Sequence, residues 1–258
     1  MIPRDFVDEV VNGLFEDAVD PKISVVGVGG AGSNVVSALY DRDLQGVETV
    51  AVNTDPAGLS RCEADYKVLL GHVDLADRLA AARTSAEQAE DRLKETLASD
   101  IVFVVAGLGG AAGTGAAPIV ARAARASGAV TIAIGILPFD AEGRTEAARA
   151  GLEELRVESD NLIVVDNNSL DKFAGELSFN DALQVVNYMV ITIVQGVMDH
   201  LAKSFLTTVA EEVENVAKEI EDQNSHAVHV EVQPPETVQA AWEITPVAFD
   251  DHGFIGLR

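Results

Sequence analysis

The chain has 258 residues, of which 48% are hydrophobic, and carries 18 basic against 42 acidic side chains for a formal charge of −24. That length supplies one large domain, or one domain with a smaller appendage. A surface this negative repels nucleic-acid phosphates and anionic lipid, which counts against both as direct partners. The lone cysteine, Cys62, excludes an internal disulfide framework and fits a cytoplasmic setting.

The acidic residues are spread along the chain and arginine outnumbers lysine. This points to a protein working in high salt, where screening over about 3 Å at 1 M removes the self-repulsion. The first segment, 1–20, is acidic and lacks a basic n-region, so it reads as a helical extension rather than a secretory signal. From there apolar β-type runs alternate with helical patterns. A strand over 22–28 (KISVVGV) enters Gly29-Gly30-Ala31-Gly32 and then a helix to about 41. A second strand, 47–52, ends at Asn53-Thr54-Asp55-Pro56, and a short third spans 66–70.

The alanine-rich, charged stretch 74–98 predicts one long surface helix. The run 101–106 (IVFVVA) is apolar throughout, which predicts a central strand covered on both faces. A second glycine loop follows, then a helix over 114–126, a strand over 130–136, a helix over 142–158 and a strand over 162–165. Strands separated by helices imply an α/β fold: a mostly parallel, Rossmann-like sheet with helices on both faces. Beyond it, 179–201 predicts a central helix of about 35 Å with an apolar middle. Asp181, Asn187, Gln195 and Asp199 punctuate it, which argues for a helix crossing the molecule rather than a membrane span. An acidic amphipathic helix over 204–222 and strands over 226–232 and 238–244 complete a short α+β tail. The expected division is therefore 1–20, a nucleotide-binding domain 21–178, a central helix 179–201 and a divergent or truncated C-terminal region 202–258.

The chemistry is concentrated in two glycine loops. Gly27-Val28-Gly29-Gly30-Ala31-Gly32 matches G-x-G-x-x-G between a strand and a helix, where free N–H groups and the helix dipole suit an anion. By itself it suits a dinucleotide as well as a mononucleotide, and Asp55 would serve a dinucleotide ribose. The second loop, Gly107 to Gly115 (GLGGAAGTG), holds no basic residue. This excludes a Walker A loop and leaves backbone amides, the helix dipole and the Thr114 hydroxyl to hold phosphate. Two such loops at the carboxyl ends of two strands suggest a triphosphate gripped from both sides. The competing reading makes the second loop a tight turn with glycines for packing.

At this point the sequence resembles FtsZ and, more distantly, the tubulin superfamily. The stretch 106–118 (AGLGGAAGTGAAP) is similar to the family's signature loop, 27–34 (GVGGAGSN) to its first nucleotide loop and 51–55 (AVNTD) to its second. The resemblance implies GTP or GDP with Mg2+ as cofactors and no metal site of the protein's own. Phosphate would lie against Gly29, Gly30, Ala31, Gly32 and Asn34 of one loop and Gly109, Gly110, Ala111, Ala112, Gly113, Thr114 and Gly115 of the other. Asn53 and Asp55 would belong to the second nucleotide loop, Pro138 and Glu142 to the ribose contact, and Asn167, Leu183 and Asn187 to the base. It further implies self-association or co-assembly with another FtsZ-like protein at a cytoplasmic division site, without membrane insertion.

The chain also departs from that pattern. An arginine expected four residues after Glu142 is Glu146, leaving Arg144 or Arg149 as substitutes. Leu183 replaces an aromatic that stacks on the base, and only Gly71-His72-Val73-Asp74 stands where a third glycine loop is usual. The acidic loop that follows the central helix in FtsZ has no counterpart in 201–222, so catalytic residues are unassigned. Three readings stay open: a head-to-tail polymerising GTPase, a catalytically silent GTP-binding regulator, and an NAD-dependent Rossmann enzyme.

Overall fold

A computed structural model describes residues 21–42, 44, 46–71, 77–172 and 178–224. The apolar runs become strands in the expected places: β1 (Ile23–Val28), β2 (Val47–Asn53), β3 (Tyr66–Leu69), β4 (Ile101–Gly107), β5 (Val130–Leu137) and β6 (Asn161–Asp166). The intervening segments are helical: α1 (Gly29–Tyr40), α2 (Pro56–Arg61), α3 (Arg78–Gln88), α4 (Glu90–Thr96), α5 (Ala111–Ala126) and α6 (Thr145–Glu158). Helix α7 (Phe179–Asn224) closes the described chain.

All strand pairings are parallel, in the order β3-β2-β1-β4-β5-β6. Parallel neighbours need crossover connections, which the helices supply. β1 and the apolar part of β4 are buried along their length because they sit mid-sheet between helical layers, whereas the edge strands β3 and β6 each bury one residue, Val68 and Val165. The core joins Val26, Val28, Val104 and Ala106 of the central strands to Ala116, Ala117 and Val120 of α5. Strand order reverses between β1 and β4, so the crevice beyond their carboxyl ends is the topological switch point of the sheet, the usual ligand position in open α/β folds.

The structure departs from the sequence reading at several helices; among them α6 begins at Thr145, three residues later than 142, because Asp140–Glu142 forms a separate turn. The expected single helix over 74–98 is two, α3 and α4, because Ala89 adopts φ −94°, ψ 4° and leaves the helical run. That turn aims Glu90 at Arg122 of α5, 2.8 Å away. The start at 74–76 lies outside the described residues; at 77 the Asp77 carboxylate caps α3 by accepting from the Ala80 N–H at 3.1 Å. Helix α5 begins three residues earlier than 114, since the extended Gly110 serves as its N-cap. The helices expected over 179–201 and 204–222 are one continuous helix, α7. The extension 1–20 and the strands 226–232 and 238–244 lie outside the described residues.

The sheet and its helices belong to one compact unit, Val19–Gln195. Within it α7 buries Ala182, Val186, Val190 and Val194, a four-residue spacing that marks one helix face. Burial of that face overrides the weak helix propensity of its β-branched residues. Of the second unit, the described part is the helical stretch 196–224.

Candidate functional site

Register sets the site. Val28 of β1 pairs with Ala106 of β4, so both glycine loops leave the sheet at one level. Leu137 of β5 pairs with Asp166 of β6, which brings Pro138 and Asn167 out together on the same side.

In the first loop the glycines divide into two kinds. A Cβ on Gly32 would lie 2.5 Å from the Val105 carbonyl oxygen, and one on Gly27 would overlap the Gly32 carbonyl, so these two permit α1 to sit against the strand ends. Gly29 has φ +74°, a conformation that favours glycine, and turns the chain from strand to helix. Gly30 is exposed with nothing within 4 Å of its Cβ position, and Ala31 and Asn34 are exposed beside it. No side chain caps this helix, so the first N–H groups of α1 have no side-chain acceptor.

The second loop repeats the arrangement. Gly109 has φ +91°, Gly110 is the N-cap of α5, and again no side chain caps the helix. Gly109, Gly110 and Ala111 are partly exposed, whereas Ala112, Gly113, Thr114 and Gly115 are buried. A Cβ on Gly113 would overlap the Gly107 carbonyl, and one on Gly115 the Leu79 carbonyl of α3. The packing role weighed against phosphate binding in the sequence thus applies to the second half of this loop. Thr114 is 3% exposed, and its Oγ1 accepts from the Gly109 N–H at 2.7 Å, so its side chain braces the loop from inside. The two loops also touch: a Cβ on Gly107 would lie 2.5 Å from the Ala31 Cβ, and one on Gly29 would lie 3.0 Å from the Gly113 N.

A tight turn, Asp140–Glu142, lies between β5 and α6. Glu142 is fixed by both oxygens, Oε1 accepting from the Phe139 N–H at 2.9 Å and Oε2 pairing with Arg144. Gly109 faces this turn, since its Cβ would come within 2.9 Å of the Arg144 Cβ and 3.4 Å of the Pro138 Cγ. Asn168, which the sequence reading passed over, ties the turn to the end of β6. Its Oδ1 accepts from the Asp140 N–H at 2.9 Å, while its own N–H and Nδ2 donate to Asp166 Oδ1, each at 2.9 Å. An Asn-Asn pair at a strand end is the available signal, because either residue can bond local backbone. Its neighbour Asn167 is 4% exposed, and Asn167 Oδ1 has no hydrogen-bond partner. A buried acceptor left unpaired costs about 1–3 kcal/mol, the signature of a group awaiting a donor.

On the other side of β1, Asn53 is buried and its Oδ1 accepts from the Asp55 N–H at 3.1 Å. Asp55 caps α2, its oxygens accepting from the Ala57 and Gly58 N–H groups at 3.0 Å each. On α7, Leu183 and Asn187 stand one turn apart and are half-buried. The ring of Tyr188 lies under Arg42, 5.4 Å from guanidinium to centroid, at the far end of α1 from the loops.

Nucleotide chemistry fits this donor set. Two uncapped helix N-termini converge where the strand order reverses, and Asn167 brings an orphaned amide oxygen from the end of β6. Among the described residues no group of three His, Cys, Asp or Glu side chains could hold a metal ion by itself. Resolved pKa shifts fall outside the site, on Glu90 and Arg122.

Comparison with known proteins identifies what this arrangement resembles. Residues 22–175 match the model of the Tubulin/FtsZ family, GTPase domain. Cell division protein FtsZ 2 of Haloferax volcanii is 38% identical over 215 residues, covering 79% of this chain and 54% of that protein. Cell division protein FtsZ of Haloferax mediterranei is 41% identical over 207 residues, covering 76% and 54%. Among solved structures, an FtsZ dimer from M. jannaschii superposes with a TM-score of 0.68 at 34% identity, covering 77% of this chain and 59% of that one. CetZ from Methanosaeta thermophila shares the fold, with a TM-score of 0.61 at 21% identity over 70% of this chain and 54% of that one. The chain spans about half the length of the relatives it matches.

Proposed function

Because this chain belongs to the tubulin/FtsZ family, we propose that it binds GTP or GDP, with Mg2+ carried on the phosphates, and acts as a self-associating division protein in the cytoplasm. The observation that carries this reading is the meeting of two uncapped helix N-termini at the β1–β4 switch point. The open amides around Gly29, Gly30, Ala31 and Gly32, with Asn34 alongside, hold phosphate from one side. Those of Gly110 and Ala111 hold it from the other, beside Gly109, whose own N–H is held by Thr114 Oγ1, while Ala112, Gly113, Thr114 and Gly115 keep that loop in shape.

Glu142 and Pro138 meet the ribose, and Asn53 and Asp55 shape the loop beside it. Asn167 and Asn187 read the guanine edge over the apolar side chain of Leu183; a wrong base leaves their amides unpaired at about 1–3 kcal/mol each. GTP supplies the transferable phosphoryl group when bound; this chain's residues position it. Functionally the chain divides into an extension 1–20, the nucleotide domain 21–178, a connecting helix 179–201 and a C-terminal region 202–258. Asp181, Asn187, Gln195 and Asp199 along α7 favour a role without membrane insertion.

One observation favours a second, catalytically silent reading. Helix α7 runs unbroken through 202–224, where the resemblance to FtsZ leads one to expect an acidic loop completing the neighbouring subunit's site. In that case the chain co-assembles with another FtsZ-like protein and regulates it. Chromatography of nucleotide extracted from the purified protein tests the binding step, and phosphate release across a protein titration in high salt tests the rest. Bound guanine nucleotide with turnover per subunit rising with concentration supports the polymerising GTPase. Bound nucleotide with flat, negligible turnover supports the regulator. Bound NAD, or no affinity for GTP, refutes both.

A further inference from the structure

We propose that Arg144 is the residue that reads the phosphate chain, in a chain where the arginine expected at 146 from the resemblance to FtsZ is Glu146. This rests on the guanine-nucleotide reading above. Across 27–34, 53–55, 107–115, 138–146 and 166–168 there is one basic residue, Arg144, in a chain of formal charge −24. Salt screens the distant acidic groups but not a charge in direct contact, so a cation touching the phosphates keeps its effect.

The side chain is half exposed, its root fixed by the backbone and its tip paired with Glu142. The Arg144 carbonyl accepts from the Ala148 N–H at 3.0 Å as α6 begins, which fixes the backbone. Its Cβ and carbonyl pack on Gly109, where a glycine Cβ would lie 2.9 and 3.3 Å from them. Its Nη1 lies 3.9 Å from the Cβ position of Gly110, the N-cap of α5. The guanidinium thus stands over the uncapped helix N-terminus. Glu142 takes its Nη2 end and is itself anchored by the Phe139 N–H. A guanidinium carries five N–H donors, and one carboxylate contact at Nη2 leaves the Nη1 end directed toward Gly110. Glu142 thereby connects the two tasks: the carboxylate assigned to the ribose also aims the cation at the phosphates. Glu146, exposed in the first turn of α6, supplies no positive charge to this place.

The test is competition binding of GTP, GDP and guanosine to the purified full chain, wild type and variants. Arg144→Ala weakens GTP about tenfold or more and guanosine less than about twofold, because a charge-assisted contact to phosphate is lost and the base contacts are kept. Arg144→Lys recovers most of the preference for GTP over guanosine, and Arg149→Ala behaves as wild type. Circular dichroism confirms that each variant is folded. Unchanged GTP affinity in Arg144→Ala overturns the assignment. So does an equal loss for GTP and guanosine, which would make Arg144 a brace for the loop, or a loss in Arg149→Ala matching that of Arg144→Ala. Failure of the wild type to bind GTP refutes the nucleotide reading itself, and it is seen before any variant is made.

Discussion

Replacing Gly32 and Gly30 by alanine, two residues apart in one loop, separates the packing role of a glycine from the binding role. At Gly32 the new methyl would lie 2.5 Å from the Val105 carbonyl oxygen and 2.8 and 2.9 Å from the Gly27 carbonyl carbon and Cα. The closest approach falls about 0.9 Å short of the 3.4 Å at which ordinary contact begins. All three neighbours are backbone atoms, so no side chain can rotate away and α1 must lift from the end of β4. Overpacking of this kind costs roughly 2–3 kcal/mol. At about 2–4 °C per kcal/mol for a chain of this size, Tm falls by about 4–12 °C. At Gly30 nothing lies within 4 Å and φ is not positive, so alanine fits the free protein. Its Tm stays at or slightly above wild type, since alanine suits a helix better by about 0.5–1 kcal/mol. The same methyl stands where phosphate approaches the α1 amides, so GTP affinity falls roughly 5- to 150-fold for a clash of about 1–3 kcal/mol. Differential scanning calorimetry and GTP titration of both variants measure the two effects. A Gly32→Ala protein melting with wild type, or a Gly30→Ala protein binding GTP as wild type does, would refute the division of labour within this loop.

Other outcomes follow from the same geometry. Asn167→Ala leaves the Tm of the nucleotide-free protein within a few degrees, because the lost amide oxygen has no partner there, but weakens GTP by about tenfold or more; calorimetry and titration check both. Asn168→Ala removes the bonds joining the Asp140 turn to β6 and lowers stability by about 1–2 kcal/mol, read by chemical denaturation. Glu90 is held below its ordinary value of 4.5 chiefly by the hydrogen bond from Arg122. Its folded-state pKa is depressed, so its contribution is present above 4.5 and lost as pH falls through the lowered value. Glu90→Gln therefore costs about 0.2–1 kcal/mol near neutrality, with the difference vanishing in acid, measured by denaturation against pH.

The architecture was legible because its signals are local. The all-apolar run 101–106 is short, rich in β-branched residues and followed by glycine, which favours a central strand over a buried helix. Helix breaks were less legible: Ala89 is no breaker by residue type, yet the turn there points Glu90 at Arg122 on a helix more than twenty residues away. The C-terminal helix was read as two because charge composition changes near 202, although nothing in the backbone stops it.

By itself the sequence determined that two glycine loops open helices beside parallel strands, and that no lysine stands in either. Only the tertiary structure decided which glycines are cradle and which are spacer. Gly32 and Gly115 are spacers because backbone of other elements, the Val105 and Leu79 carbonyls, occupies the place of a side chain, and Gly27 and Gly113 because the other end of their own loop does, whereas Gly30 faces open space. It likewise decided that Arg144 sits over Gly110 and that Asn167 keeps an unpaired oxygen. Register and packing between distant segments impose these facts, and no pattern along the chain encodes them singly.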